Sequence, residues 1–385
     1  MNTHVRKLNA ILIGLVAAAG MGQVYAGDLP GTMLDKTGVA LIKGNVYVWG
    51  HRTWAQQGNG VTNVPATAPP AKVESLQNIQ RVSGGLYHLI ALTDEGQVSG
   101  WGRGGYGENG CGTYYANVPC GVLSDVVQID SGAYFSIALR ADGDVYAWGH
   151  NAYGQLGNGS TTTNATAGPA KVNLGGEKVR LIGAAYEGAF AVTEQGHVWA
   201  WGDNEASGLG FQGSAYGVAR PTTVPVRVAN LEPYARQITY IGGGNGWGQA
   251  LLDDGRVIGW GVRTGLGVGQ HSTTLSSPQV VVVMDQVEKL FSRYVGSVAL
   301  TKDGYVHTWG QCGCTELPMI YGYYPTLRYQ YDRTDKIVDI GGGKEHLFFT
   351  TESGKLIGVG LNDQNKLNLG QATGIIDWPG STVAL

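Results

Sequence analysis

A short motif recurs along almost the whole chain at fixed spacing, and it constrains what the chain can fold into. Each copy ends in a Trp-Gly pair or its variant. A glycine lies five residues before that pair, and in six copies an aliphatic residue lies fourteen residues before the glycine. The pairs are Trp49-Gly50, Trp101-Gly102, Trp148-Gly149, Trp201-Gly202, Trp260-Gly261, Trp309-Gly310 and the variant Val359-Gly360. The aliphatic residues are Val82, Ile129, Ile182, Ile241, Leu290 and Ile340. This invariance predicts one structural unit repeated seven times, with register held by packing between units.

Each copy predicts short strands joined by tight turns. The third copy has strands starting at Ile129, Ser136 and Asp144, and Asp142-Gly143 is a hairpin signal before the last of them. A further strand is predicted to precede each unit, as in Ala170–Val172 and Pro278–Val281. No copy carries a helical apolar period over ten residues, which excludes a helical repeat. We therefore predict an all-β fold, a seven-bladed β-propeller of four-stranded antiparallel blades.

The repeat resembles that of a known family. Segments 142–159 and 82–92 closely resemble the repeat of the regulator of chromosome condensation family, and the resemblance extends over nearly all of residues 27–385. It implies a closed ring of seven blades. The layout is also similar to that of exported bacterial propellers that inhibit β-lactamases through loops on one face of the ring.

The two ends of the repeat region predict how the ring closes. The chain reaches Gly44 after only one strand, Gly38–Ile42, so the first blade lacks its opening strands. The segment Gly374–Leu385 contains Ile375-Ile376 and Thr382–Leu385, which are suited to supply them. We predict a ring closed by N- and C-terminal strands that share a blade, which would hide two sheet edges.

The N-terminus has the pattern of an export signal. Arg6 and Lys7 precede the largely apolar segment Leu8–Gly22, and Val24-Tyr25-Ala26 offers small residues for cleavage before Gly27. The alternative is a buried or membrane-spanning helix, but the apolar segment is short and interrupted by Asn9, Gly14 and Gly20. We expect residues 1–26 to be a signal peptide, residues 27–385 to form the propeller, and the protein to be periplasmic or secreted. No later segment is predicted to span a membrane.

Composition excludes some classes of partner. The chain has 63 glycines and 14% charged residues, but its 43% hydrophobic content, with 10 Trp and 20 Tyr, argues against disorder. A net charge of −3 and the lack of a basic stripe give no electrostatic basis for binding nucleic acid.

Four cysteines, Cys111, Cys120, Cys312 and Cys314, are an even number, which favours disulfides in an exported chain. A bridge between Cys111 and Cys120 would close a short loop and add about 3 kcal/mol. Three states stay open for Cys312 and Cys314: a tight bridge between them, two thiols, or disulfides to other cysteines. No metal site is expected, because these pairs lack further ligands and no His lies at metal-finger spacing.

No catalytic motif is present. The chain lacks a Gly-x-Ser-x-Gly elbow, a His-Glu-x-x-His helix and a phosphate loop. The glycines of 265–269 follow a Trp-Gly pair and are interpreted as a turn, and His88 and His346 recur at one repeat position, which favours a structural hydrogen bond. We expect neither an enzyme nor a bound cofactor.

Aromatic residues are predicted to line one face of the ring. The turn before the second of the three motif strands shares a face with the exit after each Trp-Gly pair, and both are rich in Tyr and Trp, which dominate protein-binding surfaces. The candidate partner-binding residues are Trp54, Tyr87, Tyr106, Tyr114, Tyr115, Tyr134, Tyr153, Tyr186, Trp247, Tyr294, Tyr321, Tyr323 and Tyr324. Some of these rings are equally suited to packing between blades.

These observations favour a monomeric extracytoplasmic protein-binding module that inhibits or neutralises another protein. Three alternatives stay open. The family resemblance implies nucleotide exchange on a small GTP-binding protein if the chain is not exported. An enzyme would need ionisable groups clustered near the central channel. Carbohydrate binding is the third alternative, because aromatic rings also stack on sugars.

Overall fold

The computed structural model describes residues 37–50, 53–61, 70–165, 167–214, 220–262, 266, 281–293, 296–310, 322–329, 334–343, 346–361 and 375–382. These residues form seven antiparallel sheets, six of four strands and one of three. The predicted all-β, seven-bladed propeller is confirmed. Residues 1–26, the expected signal peptide, lie outside the described residues.

The strands follow one another blade by blade. The first blade holds β1 (Thr37–Ile42), β2 (Asn45–Gly50) and β3 (Ala71–Lys72). The second holds β4 (Ile79–Gly84), β5 (His88–Thr93), β6 (Val98–Arg103) and β7 (Tyr115–Leu123). The third holds β8 (Val126–Ser131), β9 (Phe135–Arg140), β10 (Val145–Gly149) and β11 (Ala170–Lys171). The fourth holds β12 (Val179–Ala184), β13 (Gly188–Thr193), β14 (Val198–Asp203) and β15 (Pro221–Arg227), followed by a 3-10 helix at Ala229–Tyr234.

The remaining blades repeat this order. The fifth holds β16 (Ile238–Gly243), β17 (Trp247–Leu252), β18 (Val257–Gly261) and β19 (Val281–Met284). The sixth holds β20 (Val287–Arg293), β21 (Gly296–Thr301), β22 (Val306–Gly310) and β23 (Gly322–Tyr329). The seventh holds β24 (Ile337–Gly342), β25 (His346–Thr351), β26 (Leu356–Leu361) and β27 (Ile375–Thr382).

The predicted hairpin in each copy is present. Val145 pairs with Leu139 at the closed end of β9 and β10, and the Gly143 N–H donates to the Arg140 carbonyl at 3.0 Å. Gly143 has φ +83°, which an L side chain rarely adopts, so this position requires glycine. The hairpin sets the register of β10 against β9 and therefore which residues lie at the other end of β10.

The fourth strand differs from the prediction. Ala170–Lys171 forms β11, which pairs with β10 and completes the blade before it, and Val281 likewise begins β19 beside β18. The strand therefore ends each unit as its outermost member and does not open the next. The reason is that the loop after each Trp-Gly pair folds back along the strand it has just left.

The tryptophans join each blade to the one before it. Trp101, Trp201 and Trp260 are fully buried, and their indole N–H groups donate to loop carbonyls of the preceding blade. The bonds are Trp101 to Gln56 at 2.8 Å, Trp201 to Gln155 at 2.8 Å and Trp260 to Gly208 at 2.9 Å. An insertion in either hairpin would move the side chain at this position out of the joint between blades, where Trp148 and Val359 are buried as well, and this favours an invariant spacing.

The described part of the ring closes differently from the prediction. β27 pairs with β26, with Gly360 opposite Ile376, so Ile375–Thr382 completes the last blade instead of supplying the first. The prediction of a shared blade is wrong for this segment, and residues 383–385 lie outside the described residues. The first and last blades meet through side chains, with the rings of Trp49 and Phe348 5.5 Å apart.

Candidate functional site

An aromatic patch covers one face of the first three blades. We define the patch as Trp54, Tyr87, Tyr106, Tyr114, Tyr115, Tyr134, His150 and Tyr153. Tyr87 and Tyr134 lie in the turns before β5 and β9, and the others lie in or beside the loops that follow the Trp-Gly pairs. The prediction that these two sets of loops share a face is confirmed by the ring contacts between them.

At its outer end the patch is exposed. The rings of Tyr114 and Tyr115 are 4.6 Å apart, and 56% and 43% of their respective surfaces are accessible. Tyr115 lies 5.9 Å from Trp54, which in turn lies 5.5 Å from Tyr87. Solvent-exposed rings in contact with one another present apolar area that a partner can cover.

The belt of rings continues towards the third blade. Tyr87 is 6.1 Å from Tyr134, Tyr134 is 5.5 Å from Tyr106, and Tyr106 is 4.6 Å from His150. Tyr153 ends the belt 5.9 Å from His150. Burial, with a smaller contribution from Tyr87, raises the pKa of Tyr134 to about 12. This hydroxyl is therefore neutral at physiological pH and able to donate a hydrogen bond.

The same backbone bond positions two side chains in consecutive blades. The residue after each Trp-Gly pair donates its N–H to the carbonyl of the residue before the second strand. The pairs are Arg103 to Tyr87 at 2.9 Å, His150 to Tyr134 at 2.9 Å and Asp203 to Glu187 at 2.8 Å. We call these two positions the paired positions of a blade. In these three blades they place the two side chains side by side on the patch face.

A second repeated bond anchors the loop aromatics. The backbone N–H of each aromatic residue donates to the side chain two residues later. The bonds are Trp54 to Gln56 at 3.0 Å, Tyr106 to Glu108 at 2.7 Å and Tyr153 to Gln155 at 2.9 Å. All three acceptor side chains belong to buried residues, so each aromatic residue is attached to the core through its backbone.

Arg103 lies among the rings and is paired beneath them. Its guanidinium carbon is 4.6 Å from the centre of the Tyr106 ring and 5.4 Å from that of Tyr134, within cation–π range. Burial is the largest single effect and by itself would lower the pKa of Arg103, but the Glu108 carboxylate acting together with Tyr106 and Tyr114 raises that pKa. Burial raises the pKa of Glu108 as well, although Arg103 opposes that shift. The pair leaves the centre of the patch without net charge.

A disulfide holds the most exposed loop of the patch. Cys111 and Cys120 are bonded, with their Cα atoms 5.8 Å apart, which confirms this predicted pair. Tyr114 and Tyr115 lie between them in sequence, so the bridge fastens their loop to β7. Cys312 and Cys314 lie outside the described residues.

Beside the patch, at the fourth blade, the surface becomes acidic, because Glu187 and Asp203 occupy the paired positions. Gln155 hydrogen-bonds Glu187, and His150 Nδ1 lies 3.6 Å from Glu187 Oε2. Asp203 Oδ1 accepts the N–H of Arg220 at 2.8 Å, and burial raises the pKa of Asp203. Both carboxylates line a cavity of about 10 Å³ together with Asn245, room for about one water molecule.

Not all predicted residues join the patch. Tyr186 packs at its edge, beside a small cluster of Leu86 and Ala133. Trp247 is only 2% exposed and packs with Ala206 and Leu266 in the interior, so its prediction as a partner contact is wrong. Tyr294 and Tyr321 lie outside the described residues, as do the side chains of Tyr323 and Tyr324 in β23.

The error at Trp247 has a geometric cause. Trp247 pairs with Gly261, and His88 pairs with Gly102, so the two residues share one inward-facing repeat position. His88 is fully buried there, with Nε2 2.9 Å from Ser136 Oγ, which confirms the structural hydrogen bond predicted for it. The patch aromatics of the turns stand one residue earlier.

Arg103, His150, Glu187 and Asp203 were missed by sequence reasoning. Their signal was available, because Arg103, His150 and Asp203 each directly follow a Trp-Gly pair, and Glu187 directly precedes β13. Across the ranges that the structure describes, no three His, Cys, Asp or Glu residues group as metal ligands. No helix within those ranges is long and apolar enough to cross a membrane.

Sequence comparisons agree with the geometry. Two models of the Regulator of chromosome condensation (RCC1) repeat match the chain, one at residues 79–108 and 126–155 and the other at residues 142–192. RCC1 domain-containing protein RUG3, mitochondrial, from Arabidopsis thaliana, is 32% identical over 335 residues, 79% of this chain and 72% of RUG3. The chain belongs to the RCC1 repeat family.

Other RCC1-repeat proteins extend this comparison. Human E3 ubiquitin-protein ligase HERC2 is 28% identical over 282 residues, which make up 69% of this chain but 5% of the ligase. The chain thus spans only a small part of that relative. The crystal structure of Prp20p from Saccharomyces cerevisiae aligns with a TM-score of 0.69 at 19% identity, covering 94% of this chain and 87% of Prp20p. That likeness shows a shared RCC1-repeat fold.

Proposed function

We propose that this RCC1-repeat propeller is a non-enzymatic, extracytoplasmic module that binds another protein through the aromatic patch and thereby inhibits or neutralises it. The observation that carries the proposal is the continuous belt of rings from Tyr114 to Tyr153. Tyr and Trp bring large contact area with few torsions to immobilise, so they supply much of the binding energy at protein interfaces.

The construction of the patch supports a rigid binding surface. Backbone bonds to Gln56, Glu108 and Gln155 hold three of its loops, and the Cys111–Cys120 bridge holds the most exposed one. Loops fixed before binding lose less conformational freedom in the complex, which favours affinity. Prp20p offers a precedent for protein binding by this fold, because its structure is described with its binding to Gsp1p and histones.

Export is supported by two independent features. The N-terminal segment carries a basic start, an apolar stretch and a small-residue cleavage site. The disulfide between Cys111 and Cys120 is of a kind that persists in oxidising compartments.

The test is a capture experiment with matched baits. Protein purified after expression of the full chain is immobilised and exposed to an extract and the culture medium of the source cells. A second bait carries Tyr114→Ala and Tyr115→Ala. A third carries Tyr146→Ala, because Tyr146 is half-buried beside Arg140 and lies outside the patch. One stoichiometric protein, bound by the first and third baits and lost from the second, is the expected result.

The purified partner then allows the inhibitory role to be measured. Titrating the propeller into an assay of the partner's own activity should abolish that activity at a ratio near one to one. A partner that stays fully active in the saturated complex would exclude inhibition while leaving binding intact. Capture of the same protein by all three baits would contradict binding through the patch.

A further inference from the structure

The polarity of the patch changes along its length, and this change follows the paired positions. These positions hold Tyr87 and Arg103 in the second blade, Tyr134 and His150 in the third, and Glu187 and Asp203 in the fourth. The patch and the neighbouring Glu187 and Asp203 therefore form one continuous surface with an aromatic end and an acidic end. His150 joins the two, because it contacts the Tyr106 ring and approaches Glu187.

The charges at the two ends are balanced differently. Arg103 is paired with Glu108 at 2.8 Å. In the part of the chain that the structure describes, neither Glu187 nor Asp203 is paired with a Lys or Arg side chain, although carboxylates elsewhere are. Asp144 contacts Lys171 and Lys178, and Asp254 contacts Arg256. Within the described residues, the acidic end is thus not balanced by a Lys or Arg side chain.

Both carboxylates lie where water is partly excluded, and uncharged donors hold them: Gln155 Nε2 donates to Glu187, and the backbone N–H groups of Arg220 and Glu205 donate to Asp203. The Glu187 side chain is only 10% exposed, and Asp203 is partly withdrawn from water. Burial disfavours ionised carboxylates unless a cation or several donors compensate. The two residues also line one cavity with the amide residue Asn245. Both carboxylates contribute, after burial, to raising the pKa of the Tyr153 hydroxyl, which places all three within electrostatic range.

We propose that the protein partner presents an Arg or Lys side chain to Glu187 and Asp203, flanked by apolar residues that cover the rings. This inference rests on the proposed function and specifies the chemistry of the partner. A guanidinium or ammonium group pairs with carboxylates and also stacks on aromatic faces, so it matches both features of this end. Its arrival supplies a cation where, among the described residues, no Lys or Arg side chain is paired with either carboxylate.

The probe for the test is a phage-displayed library of random linear peptides, selected on the purified full chain. Parallel selections use Glu187→Gln with Asp203→Asn, and Tyr114→Ala with Tyr115→Ala. The matched control carries Asp94→Asn and Glu95→Gln, two exposed carboxyls at the hairpin tip of the second blade, at the far end of β5 from Tyr87. Thermal unfolding of every variant confirms that the propeller is folded before selection.

The expected result has two parts. Peptides selected on the unchanged chain and on the control are enriched in Arg or Lys next to aromatic or aliphatic residues, and this enrichment disappears on Glu187→Gln with Asp203→Asn. A synthetic peptide from the first set loses at least about tenfold in affinity on that variant. Replacing its basic residue by norleucine causes a similar loss on the unchanged chain and little further loss on the variant.

Two other outcomes distinguish a failure of this inference from a failure of the proposed function. Peptides that depend on Tyr114 and Tyr115 but show no basic enrichment, or bind both forms equally, would overturn the inference and leave the proposed function in place. Selected peptides that are indifferent to both the tyrosines and the carboxylates would overturn both.

Discussion

Arg103 and Glu108 form an ion pair directly beneath the aromatic patch, with 2.8 Å between Nη1 and Oε1 and the Glu108 side chain fully buried. The guanidinium faces the rings of Tyr106 and Tyr134 while its charge is matched from below. Glu108 also accepts the backbone N–H of Tyr106. One buried carboxylate therefore fixes both a cation and an aromatic ring of the patch.

Removing Arg103 should destabilise the propeller more than replacing the whole pair. Arg103→Ala leaves the buried Glu108 carboxylate without its cation, and breaking a buried pair in this way costs about 3 kcal/mol. The double substitution Arg103→His with Glu108→Gln copies His150 and Gln155 of the next blade, so a loss within about 1 kcal/mol is expected. Urea unfolding measures both, and equal losses would contradict the ion-pair account.

Loss of the disulfide should loosen the exposed loop as well as lower stability. Cys111→Ser with Cys120→Ser removes a bridge worth about 3 kcal/mol by the chain-entropy relation. It also frees the loop of Tyr114 and Tyr115, so binding to the captured partner should weaken. The substitution is preferable to a reductant, because a reductant would also break any disulfide that Cys312 or Cys314 forms. Unchanged affinity would show that the bridge serves stability alone.

Trp247 and Tyr114 should respond in opposite ways to alanine. Trp247→Ala removes a buried indole and should cost about 4 kcal/mol of unfolding free energy. Tyr114→Ala removes an exposed ring and should change stability by no more than about 0.5 kcal/mol, while weakening partner binding. Calorimetric unfolding and a binding titration on both variants test this. A stable Trp247→Ala variant with impaired binding would restore Trp247 to the partner surface.

Acid should destabilise the propeller through His88. Burial, with a smaller contribution from Arg103, lowers the pKa of His88 from 6.5 to about 3. The unfolded chain therefore takes up a proton near pH 6.5 that the folded chain excludes. This stabilising contribution is complete above that pH and is lost as the pH falls towards 3, at up to about 1.4 kcal/mol per pH unit.

The comparison variant for this measurement is His88→Phe, because Phe135 occupies the equivalent position in the third blade. Unfolding free energies of both proteins between pH 7 and pH 4 give two slopes. The difference between the slopes isolates His88 from the buried carboxyls Glu108 and Asp130, whose pKa values burial raises. Parallel pH profiles would show that His88 is protonated in the folded state.

The sequence predicted the blade well because its geometry depends on few residues. The hairpin at Gly143 needs a residue with positive φ, and the indole of Trp148 must lie in the joint between blades. Both requirements therefore appear in the sequence as residues at a constant spacing. No such fixed spacing shows to which blade the outer strand belongs. Ala170–Lys171 has two paired residues and would fit either neighbouring unit, and only the path of the long loop decides between them.

The residues of the patch were predicted only in part, because residue type alone does not show which way a side chain faces. Residue type identified Tyr87 and Tyr134, but it also selected Trp247, which faces inward because it stands one residue later in the repeat. Counting positions from each Trp-Gly pair would have excluded Trp247 and found Arg103, His150 and Asp203. The partners of these side chains depend on contacts between blades, such as His150 with Glu187, which no single repeat contains.

The main-chain bond at the paired positions has a consequence for how such a protein diversifies. The bond between Arg103 and Tyr87 uses only backbone atoms, and it persists where the side chains become Asp203 and Glu187. Substitutions at these sites can therefore alter specificity while this main-chain bond is kept, provided that a buried partner such as Glu108 changes together with Arg103. Affinity for a new target can then be gained through substitutions in one blade at a time, while selection for stability keeps the rest of the scaffold unchanged.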